Sequence, residues 1–271
     1  MISIKNLSYG YPNGTIVLDS INIELRMGEF VALVGSNGCG KSTLARHLNG
    51  LLKPIKGSVE IMGMDTRNQS DIWKIRQTVG IVFQDPHIQF IGSTLEEDVA
   101  FGLENLALPG IEIRRLVSEA LAITGLEKYR YSSPASLSGG QKQKAAIAGA
   151  IVMGSKFLVL DEVTSMLDPS SSKEILDILL SLKKKGVGLL YITHRVEEAL
   201  LSDRMIVMDK GKIVTDDTPI AVIKKLGQDN YLFELPPLLK LALKLDEAGI
   251  LQLHSHLLSP YTLAEEICQS L

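Results

Sequence analysis

The chain has 271 residues, 45% of them hydrophobic, which is enough to bury one large core in a single domain or a domain with an appendage. Its 28 basic and 31 acidic residues give a net charge of -3, which excludes a strong global attraction to nucleic acid or to an anionic lipid surface. The longest apolar stretch, residues 145–154, is about half of the roughly 20 residues that a membrane-spanning helix needs. We therefore expect no nucleic-acid partner, no direct bilayer insertion, and membrane contact only through a protein partner.

The sequence from Met1 has no basic and apolar secretory signal and begins instead with an alternating, strand-like pattern. Its cysteines, Cys39 and Cys268, lie far apart and form no metal-ligand pattern. A reducing cytoplasm is the simplest setting for such a chain.

Strands alternate with helical patterns along the chain, which predicts an α/β fold with a parallel sheet. Residues 2–7 and 21–25 alternate apolar with polar side chains, and a Pro12-Asn13-Gly14 turn joins them, as in an antiparallel β subdomain. Residues 30–34 are all apolar, which is typical of a central strand covered on both faces. That strand ends at Gly35.

The pattern is mostly helical from residue 94 to residue 154, and Leu95, Val99 and Leu103 share one helix face. We interpret residues of about 86–155 as a helical subdomain inserted into the sheet domain. Two more apolar strands, 157–160 and 187–193, end at Asp161 and His194. Open α/β sheets bind ligands at such carboxyl ends of strands.

The strand and helix alternation stops after residue 215, and two helical stretches follow, around 236–248 and 262–270. We therefore divide the chain into a sheet domain, residues 1–218, and a helical C-terminal extension, residues 219–271.

A phosphate-binding loop is predicted at residues 35–43, which read Gly-Ser-Asn-Gly-Cys-Gly-Lys-Ser-Thr between a strand and a helix. Glycines let backbone N–H groups turn toward phosphates, Lys41 reaches the β and γ oxygens, and Ser42 can ligate Mg²⁺. A Gly-rich helix cap would explain the glycines but not the Lys-Ser pair after Gly40. The predicted nucleotide-binding residues here are Gly35, Ser36, Asn37, Gly38, Cys39, Gly40, Lys41, Ser42 and Thr43.

Asp161 and Glu162 follow a buried strand as a carboxylate pair. Phosphoryl transfer needs one carboxylate near Mg²⁺ and a second to hold the attacking water in line with the γ-phosphate. We assign Asp161 to the metal and Glu162 to the water. A solvated turn could also hold two acids, but the apolar strand and the phosphate loop favour the catalytic pair.

Residues 137–143, Leu-Ser-Gly-Gly-Gln-Lys-Gln, resemble the signature sequence of ATP-binding-cassette (ABC) ATPases. Ser138 would cap a helix that begins near Gly140, whose N-terminal N–H groups form an anion site. In this family the phosphate comes from the ATP of a partner subunit, so the resemblance implies a head-to-tail pair of ATPases that sandwiches two ATP molecules. The residues that would act in trans are Ser138, Gly139, Gly140 and Gln141.

Other positions resemble further motifs of the family. The resemblance implies that Tyr11 stacks on adenine, that Gln84 senses Mg²⁺ and the transport partner, that residues 165–168 bridge the subunits, and that His194 contacts the γ-phosphate. Taken singly, Tyr11 could be a turn aromatic, Gln84 a solvated strand end and His194 a core histidine. Their joint order favours the family. The resemblance extends from residue 1 to about residue 225. The implied catalytic residues are Lys41, Gln84, Glu162 and His194, and the implied Mg²⁺ ligands are Ser42, Gln84 and Asp161.

Two positions depart from many relatives. Lys144 stands where an arginine is common, and Arg195 where an aspartate is common, which reverses a charge next to His194. We expect these departures to modulate rate or pairing and not to abolish hydrolysis.

Residues 83–90 and 94–102 resemble the corresponding segments of energy-coupling-factor ATPases, which drive vitamin and metal-ion importers. The resemblance implies that residues 86–101 form a groove for a coupling helix of a transmembrane subunit. Phe90 and Phe101 would line it, although aromatics at helical spacing are also typical of a core.

That group of ATPases also carries a helical C-terminal extension implicated in pairing, so we expect residues 219–271 to pair two ATPases. The apolar run 235–245 is too hydrophobic to leave in water. Packing on its own domain is the alternative for this run.

We therefore expect the ATP-binding and ATP-hydrolysing subunit of an energy-coupling-factor importer at the cytoplasmic face of the membrane, powering uptake of a vitamin or transition-metal ion. The expected partners are a second ABC ATPase, identical or related, a transmembrane energy-coupling subunit and a substrate-binding membrane subunit. The alternatives are the ATPase of an ordinary ABC importer that uses a solute-binding protein, a soluble ABC ATPase acting on DNA or ribosomes, and a small-molecule phosphotransferase. A phosphotransferase has no use for residues 137–141.

Overall fold

The structure, a computed structural model, describes residues 1–12, 14–227 and 234–250. Asn13 of the predicted turn and the predicted helix at 262–270 lie outside these ranges. The strands are β1 (Ile2–Gly10), β2 (Ile16–Leu25), β3 (Phe30–Gly35), β4 (Lys56–Ile61), β5 (Met64–Asp65), β6 (Val79–Val82), β7 (Phe157–Asp161), β8 (Gly188–Ile192), β9 (Arg204–Asp209) and β10 (Lys212–Asp217). The helices are α1 (Lys41–Leu48), α2 (Ile72–Thr78), α3 (Leu95–Glu104), α4 (Gly110–Thr124), α5 (Gly139–Ile151), α6 (Pro169–Lys184), α7 (Val196–Ala199), α8 (Pro219–Leu226) and α9 (Pro237–Glu247).

An antiparallel sheet in the order β2-β1-β4-β5 contains the predicted N-terminal strands. β1 pairs with β2, with Ile2 opposite Leu25. The apolar side chains Ile2, Ile4 and Leu7 are all buried in one core, on which this sheet packs one of its faces. The alternation is interrupted between Ile4 and Leu7, where the pairing of β1 is irregular.

A second sheet, in the order β10-β9-β3-β8-β7-β6, carries the predicted parallel core. β3 lies between β8 and β9 and runs parallel to both, and all of its residues are buried. The apolar sequence of β3 is therefore explained by cover on both faces. Because β3, β7 and β8 are parallel, their carboxyl ends lie at one edge, which brings the phosphate loop, Asp161 and the segment after β8 together.

Helices α3, α4 and α5 form a helical subdomain with a core of its own. Leu95, Val99 and Leu103 of α3 are buried in that core, as their spacing predicts. This subdomain carries the signature sequence at the start of α5, which is far from the phosphate loop in sequence.

The first residue of the predicted extension, Pro219, is also the first residue of α8. Residues Leu235, Leu239 and Leu243 are buried against α7, α8 and one face of the parallel sheet. The apolar face of α9 thus packs on its own domain, which was the alternative for this run. Pairing through the extension stays a prediction, and it would need other residues than this buried face. No helix within the described ranges is long and apolar enough to cross a bilayer.

Candidate functional site

The loop between β3 and α1 has a backbone that requires glycine. Gly35, Gly38 and Gly40 have φ angles of 149°, 76° and 108°. A Cβ atom on Gly35 would lie 2.0 Å from the carbonyl oxygen of Met208 on β9. A side chain at that position would therefore push the loop off the sheet edge.

Lys41 is buried at the start of α1, and its Nζ donates to the carbonyl oxygens of Gly35, at 2.8 Å, and Ser36, at 3.1 Å. The ammonium group thus spans the loop from inside. Gly40 occupies the N-cap of α1, and no described side chain caps the helix. The first N–H groups of α1 are therefore available to an anion, whose negative charge the helix dipole also favours.

Cys39 and Ser36 tie the loop to the neighbouring strands. The Ser36 hydroxyl donates to Asp209 of β9 at 3.0 Å, and the carbonyl oxygen of Cys39 accepts from the Gly211 amide at 3.1 Å. Burial raises the pKa of the Cys39 thiol, so this side chain is a small neutral filler within the loop.

Tyr11 lies beside α1, with its hydroxyl 3.3 Å from the hydroxyl of Thr43. Tyr9 packs edge-to-face against Tyr11, with ring centroids 5.2 Å apart. A cavity of about 370 Å³ opens here and is lined by Tyr9, Tyr11, Ile16, Ile55 and Lys56 among others. A mostly apolar cavity with aromatic walls is the kind of site that a purine base takes. Stacking of Tyr11 on adenine stays a prediction.

Asp161 ends β7 with its carboxylate buried, and the Ser42 hydroxyl donates a hydrogen bond to it. Burial raises the pKa of Asp161 above the usual range; the Ser42 hydrogen bond opposes this shift, and the charge of Glu162 adds to it. A hydroxyl and a carboxylate in contact beside the loop are suitable oxygen ligands for Mg²⁺. The two predicted metal ligands from distant parts of the chain thus meet.

Glu162 has a φ of 50°, in the left-handed region, and its amide donates to the Ile192 carbonyl oxygen at 3.0 Å. This backbone turn is unusual for a residue with a long side chain, and strained positions of this kind concentrate at functional sites. Nδ1 of His194 lies 3.9 Å from Oε2 of Glu162. The two residues predicted to act at the γ-phosphate are therefore neighbours.

Gln84 contacts the predicted bridging segment. Its Nε2 donates to the hydroxyl of Ser165 at 3.2 Å, and that hydroxyl donates to the Glu162 carbonyl oxygen at 2.8 Å. Gln84 is thus linked to Glu162 through one side chain. Its contact with Mg²⁺ stays a prediction.

The signature sequence starts α5 with a capping box. The Ser138 hydroxyl accepts from the Gln141 amide at 3.3 Å, and the Ser138 amide donates to the Gln141 side chain at 2.9 Å. The helix begins at Gly139, one residue before the predicted start, and Ser138 and Gly139 are exposed. Gly140 is close-packed, since a Cβ there would lie 2.8 Å from the hydroxyl oxygen of Ser171. The capped end can therefore face another molecule.

The two departures from the family pattern both form ion pairs. Lys144 lies 2.8 Å from Glu174, and Arg195 lies 2.9 Å from Glu198. The positive charge of Arg195 is thus balanced by a buried carboxylate on α7. Sequence reasoning missed Glu198; a carboxylate four residues after His194 is a weak signal, because acidic residues are common on exposed helices.

The phosphate loop, the strand-ending carboxylate pair and the capped signature helix on a separate subdomain together define an ATPase of the ATP-binding-cassette class. The chain belongs to the ABC transporter family, whose sequence model matches residues 18–165. As a member of that family it is an ATP-binding and ATP-hydrolysing transporter subunit.

Known proteins agree with this membership over nearly the whole chain. The energy-coupling factor transporter ATP-binding protein EcfA of Methanosarcina acetivorans is 52% identical over 270 residues, covering 99% of this chain and 98% of that protein. The solved structure of cbiO1 from Clostridium perfringens, part of the ABC transporter complex cbiONQ, is 35% identical with a TM-score of 0.79, covering 91% of this chain and 94% of that one. A dimeric ATP-binding cassette bound to ADP and Pi in a post-hydrolysis state is 29% identical with a TM-score of 0.73, covering 81% of this chain and 99% of that one.

Proposed function

We propose that the chain is the ATPase subunit of an energy-coupling-factor importer, and that it powers uptake of a vitamin or transition-metal ion from the cytoplasmic face of the membrane. The observation that supports this proposal is that the two predicted phosphate sites lie on separate parts of the chain. The phosphate loop and the carboxylate pair lie at the edge of the parallel sheet, whereas the capped end of α5 lies on the helical subdomain and is exposed.

Two such chains, arranged head to tail, would complete each other's site. Tyr11 and the loop would hold one ATP, and Ser138 of the second subunit would approach its γ-phosphate. The dimeric cassette bound to ADP and Pi supports this arrangement. Ser42 and Asp161, with Gln84 nearby, would hold Mg²⁺, and the ion would neutralise phosphate charge. Glu162 would orient the attacking water, and His194 would contact the γ-phosphate.

The helical subdomain offers a place for a transmembrane subunit. A cavity of about 230 Å³ is lined by Phe90, Phe101 and Asp98, among others, next to Gln89 and the start of α3. Phe101 is 49% exposed, which is unusual for a phenylalanine that serves only the core. The position of this groove beyond Gln84 supports the transfer of motion from the nucleotide to a coupling helix.

Purification of the chain from its native membrane tests the proposal. We expect a transmembrane energy-coupling subunit and a substrate-binding membrane subunit to accompany it, together with a second ATPase. The variant Phe101→Ser should lose the membrane subunits and keep ATP binding. Ile111→Ser is the matched control, because Ile111 is 78% exposed on α4 and does not line the groove.

Other companions would contradict the proposal. Recovery with a solute-binding protein and its permease would indicate an ordinary ABC importer. Recovery with ribosomes or DNA would indicate a soluble ABC ATPase.

A further inference from the structure

Glu198 on α7 has a carboxylate that is 4% exposed and lies between two loops of the nucleotide site. Its Oε2 accepts hydrogen bonds from three hydroxyl groups. The donors are Tyr191 at 2.6 Å, Thr164 at 2.8 Å and Thr193 at 3.0 Å. All three donors are themselves buried.

Such a carboxylate is costly to bury unless it is paired and hydrogen-bonded. Arg195 provides the pairing charge, with Nη1 2.9 Å from Oε1 of Glu198. This contact is mainly electrostatic, because Oε1 has no hydrogen bond of good geometry within the described part of the chain. Arg195 therefore has a defined partner, although it stands where many relatives carry an aspartate.

The surroundings of Tyr191 favour its protonated phenol, which donates a hydrogen bond. Burial, and secondly the negative charge of Glu198, raise the pKa of its phenol. Its oxygen also lies 2.7 Å from the Thr164 hydroxyl oxygen. A compact cluster of hydroxyl groups thus shares one carboxylate acceptor.

The cluster joins the two loops that carry the predicted catalytic side chains. Thr164 lies two residues after Glu162, and Thr193 directly precedes His194. The Arg195 amide also donates to the Thr193 hydroxyl at 3.0 Å, which fixes the other side of His194. His194 itself is half-exposed and 3.9 Å from Glu162, so few contacts of its own orient it.

We propose that Glu198 is a positioning residue for ATP hydrolysis: its carboxylate holds Thr164 and Thr193 together and so sets the orientation of Glu162 relative to His194. This inference rests on the roles proposed for Glu162 and His194. Arg195 contributes an opposite charge 2.9 Å from Oε1 of Glu198, which helps to hold the buried carboxylate in place.

The test replaces the acceptor and one of its donors in the full-length chain. In Glu198→Gln, one carboxylate oxygen becomes an amide NH₂ group and the negative charge is lost. If the remaining oxygen still accepts from the hydroxyl groups, the NH₂ group must face the Arg195 guanidinium, so either the cluster or the contact with Arg195 is disrupted. In Thr164→Val, one donor is lost at nearly constant volume. We expect kcat to fall about tenfold to hundredfold in both, because small misplacements of reacting groups have effects of that size. KM for ATP should stay within about twofold, because neither residue contacts the phosphate loop.

Three controls separate positioning from loss of fold. Thr164→Ser keeps the hydroxyl and should restore kcat. Thr124→Val removes another buried hydroxyl, one that donates within α4, and should leave kcat unchanged. Combining Glu198→Gln with Thr164→Val should lower kcat little beyond either single change, because both disrupt one unit.

Unchanged kcat in Glu198→Gln and Thr164→Val, measured well below their Tm, would overturn the inference, as would an equal loss in Thr124→Val. Should Glu198→Gln fail to fold, the comparison of Thr164→Val with Thr164→Ser decides the matter alone. Glu162→Gln provides the reference: if it abolishes hydrolysis while the cluster variants do not, the positioning role fails and the proposed function stands.

Discussion

The carboxylate of Asp161 is buried, which disfavours its charge, yet it is predicted to bind a cation, which requires that charge. It is 8% exposed, and burial raises its pKa. The folded chain without nucleotide therefore holds this proton more tightly than the unfolded chain, so stability falls as the pH rises through the raised pKa and is lowest above it. Above the raised pKa, the ionised carboxylate destabilises the folded chain in the absence of a cation, and a bound cation would remove that penalty.

The variant Asp161→Asn should show both effects. Without nucleotide, at a pH above the raised pKa of Asp161, we expect the Tm of the variant to rise by a few degrees, because no buried charge remains. With ATP, Mg²⁺ should stabilise the variant less than the parent. The apparent Mg²⁺ affinity obtained from this stabilisation should be lower by about tenfold or more. Thermal unfolding with and without Mg²⁺ and ATP measures both. A Tm below that of the parent, or undiminished Mg²⁺ dependence, would refute the assignment of Asp161.

Glu162 differs from Asp161 in being adjacent to His194 and not to Ser42. Glu162→Gln keeps the size of the side chain and removes the charge that would orient and deprotonate water. We expect steady-state hydrolysis to fall by about a hundredfold or more while ATP binding persists. The subunits should then stay paired on ATP, which size-exclusion chromatography with ATP detects. Unchanged hydrolysis would exclude the role given to Glu162.

The elements most readily predicted from the sequence were those whose hydrophobic pattern is typical of only one kind of secondary structure. The apolar runs of β3, β7 and β8 predicted buried strands, and the chemistry-bearing residues at the carboxyl end of each run predicted the edge of the sheet where the site lies. Glu198 could not be predicted, because its partners Tyr191 and Thr164 meet it only after β7 and β8 pair. The side on which α9 packs was also open, since an apolar helix face looks alike whether its partner is its own sheet or another chain.

Two helices offer a matched comparison, because both start with a capping box. Thr94 caps α3 and Ser138 caps α5, each with reciprocal hydrogen bonds to the residue three positions on. Alanine at either cap should cost about 1 kcal/mol of stability. Only Ser138→Ala should also lower ATP hydrolysis, since only that helix end is predicted to face a partner's ATP. Hydrolysis rates and denaturant midpoints of both variants check this, and an equal loss of hydrolysis in Thr94→Ala would contradict it.

At the scale of the whole molecule, the C-terminal helices complete the cover of the parallel sheet. Ala32 and Val34 of β3 lie in the same buried cluster as Leu239 and Leu243 of α9. The strand that ends at the phosphate loop is therefore shielded on one face by the predicted extension. Stability of the ATPase domain and the extension should consequently be coupled.

Substitutions on the two sides of α9 distinguish this packing from pairing. Leu239 is 2% exposed and Leu241 is 47% exposed on the same helix. Leu239→Ala should lower the free energy of unfolding by about 2–5 kcal/mol, because it leaves a cavity beneath the helix. Leu241→Ser should change stability by less than about 0.5 kcal/mol, and it should weaken association of the two ATPases if the exposed side of the extension pairs them. Chemical denaturation measures the first effect and analytical ultracentrifugation the second. Loss of association in Leu239→Ala with unchanged stability would mean that the apolar face of α9 belongs to the partner and not to its own sheet.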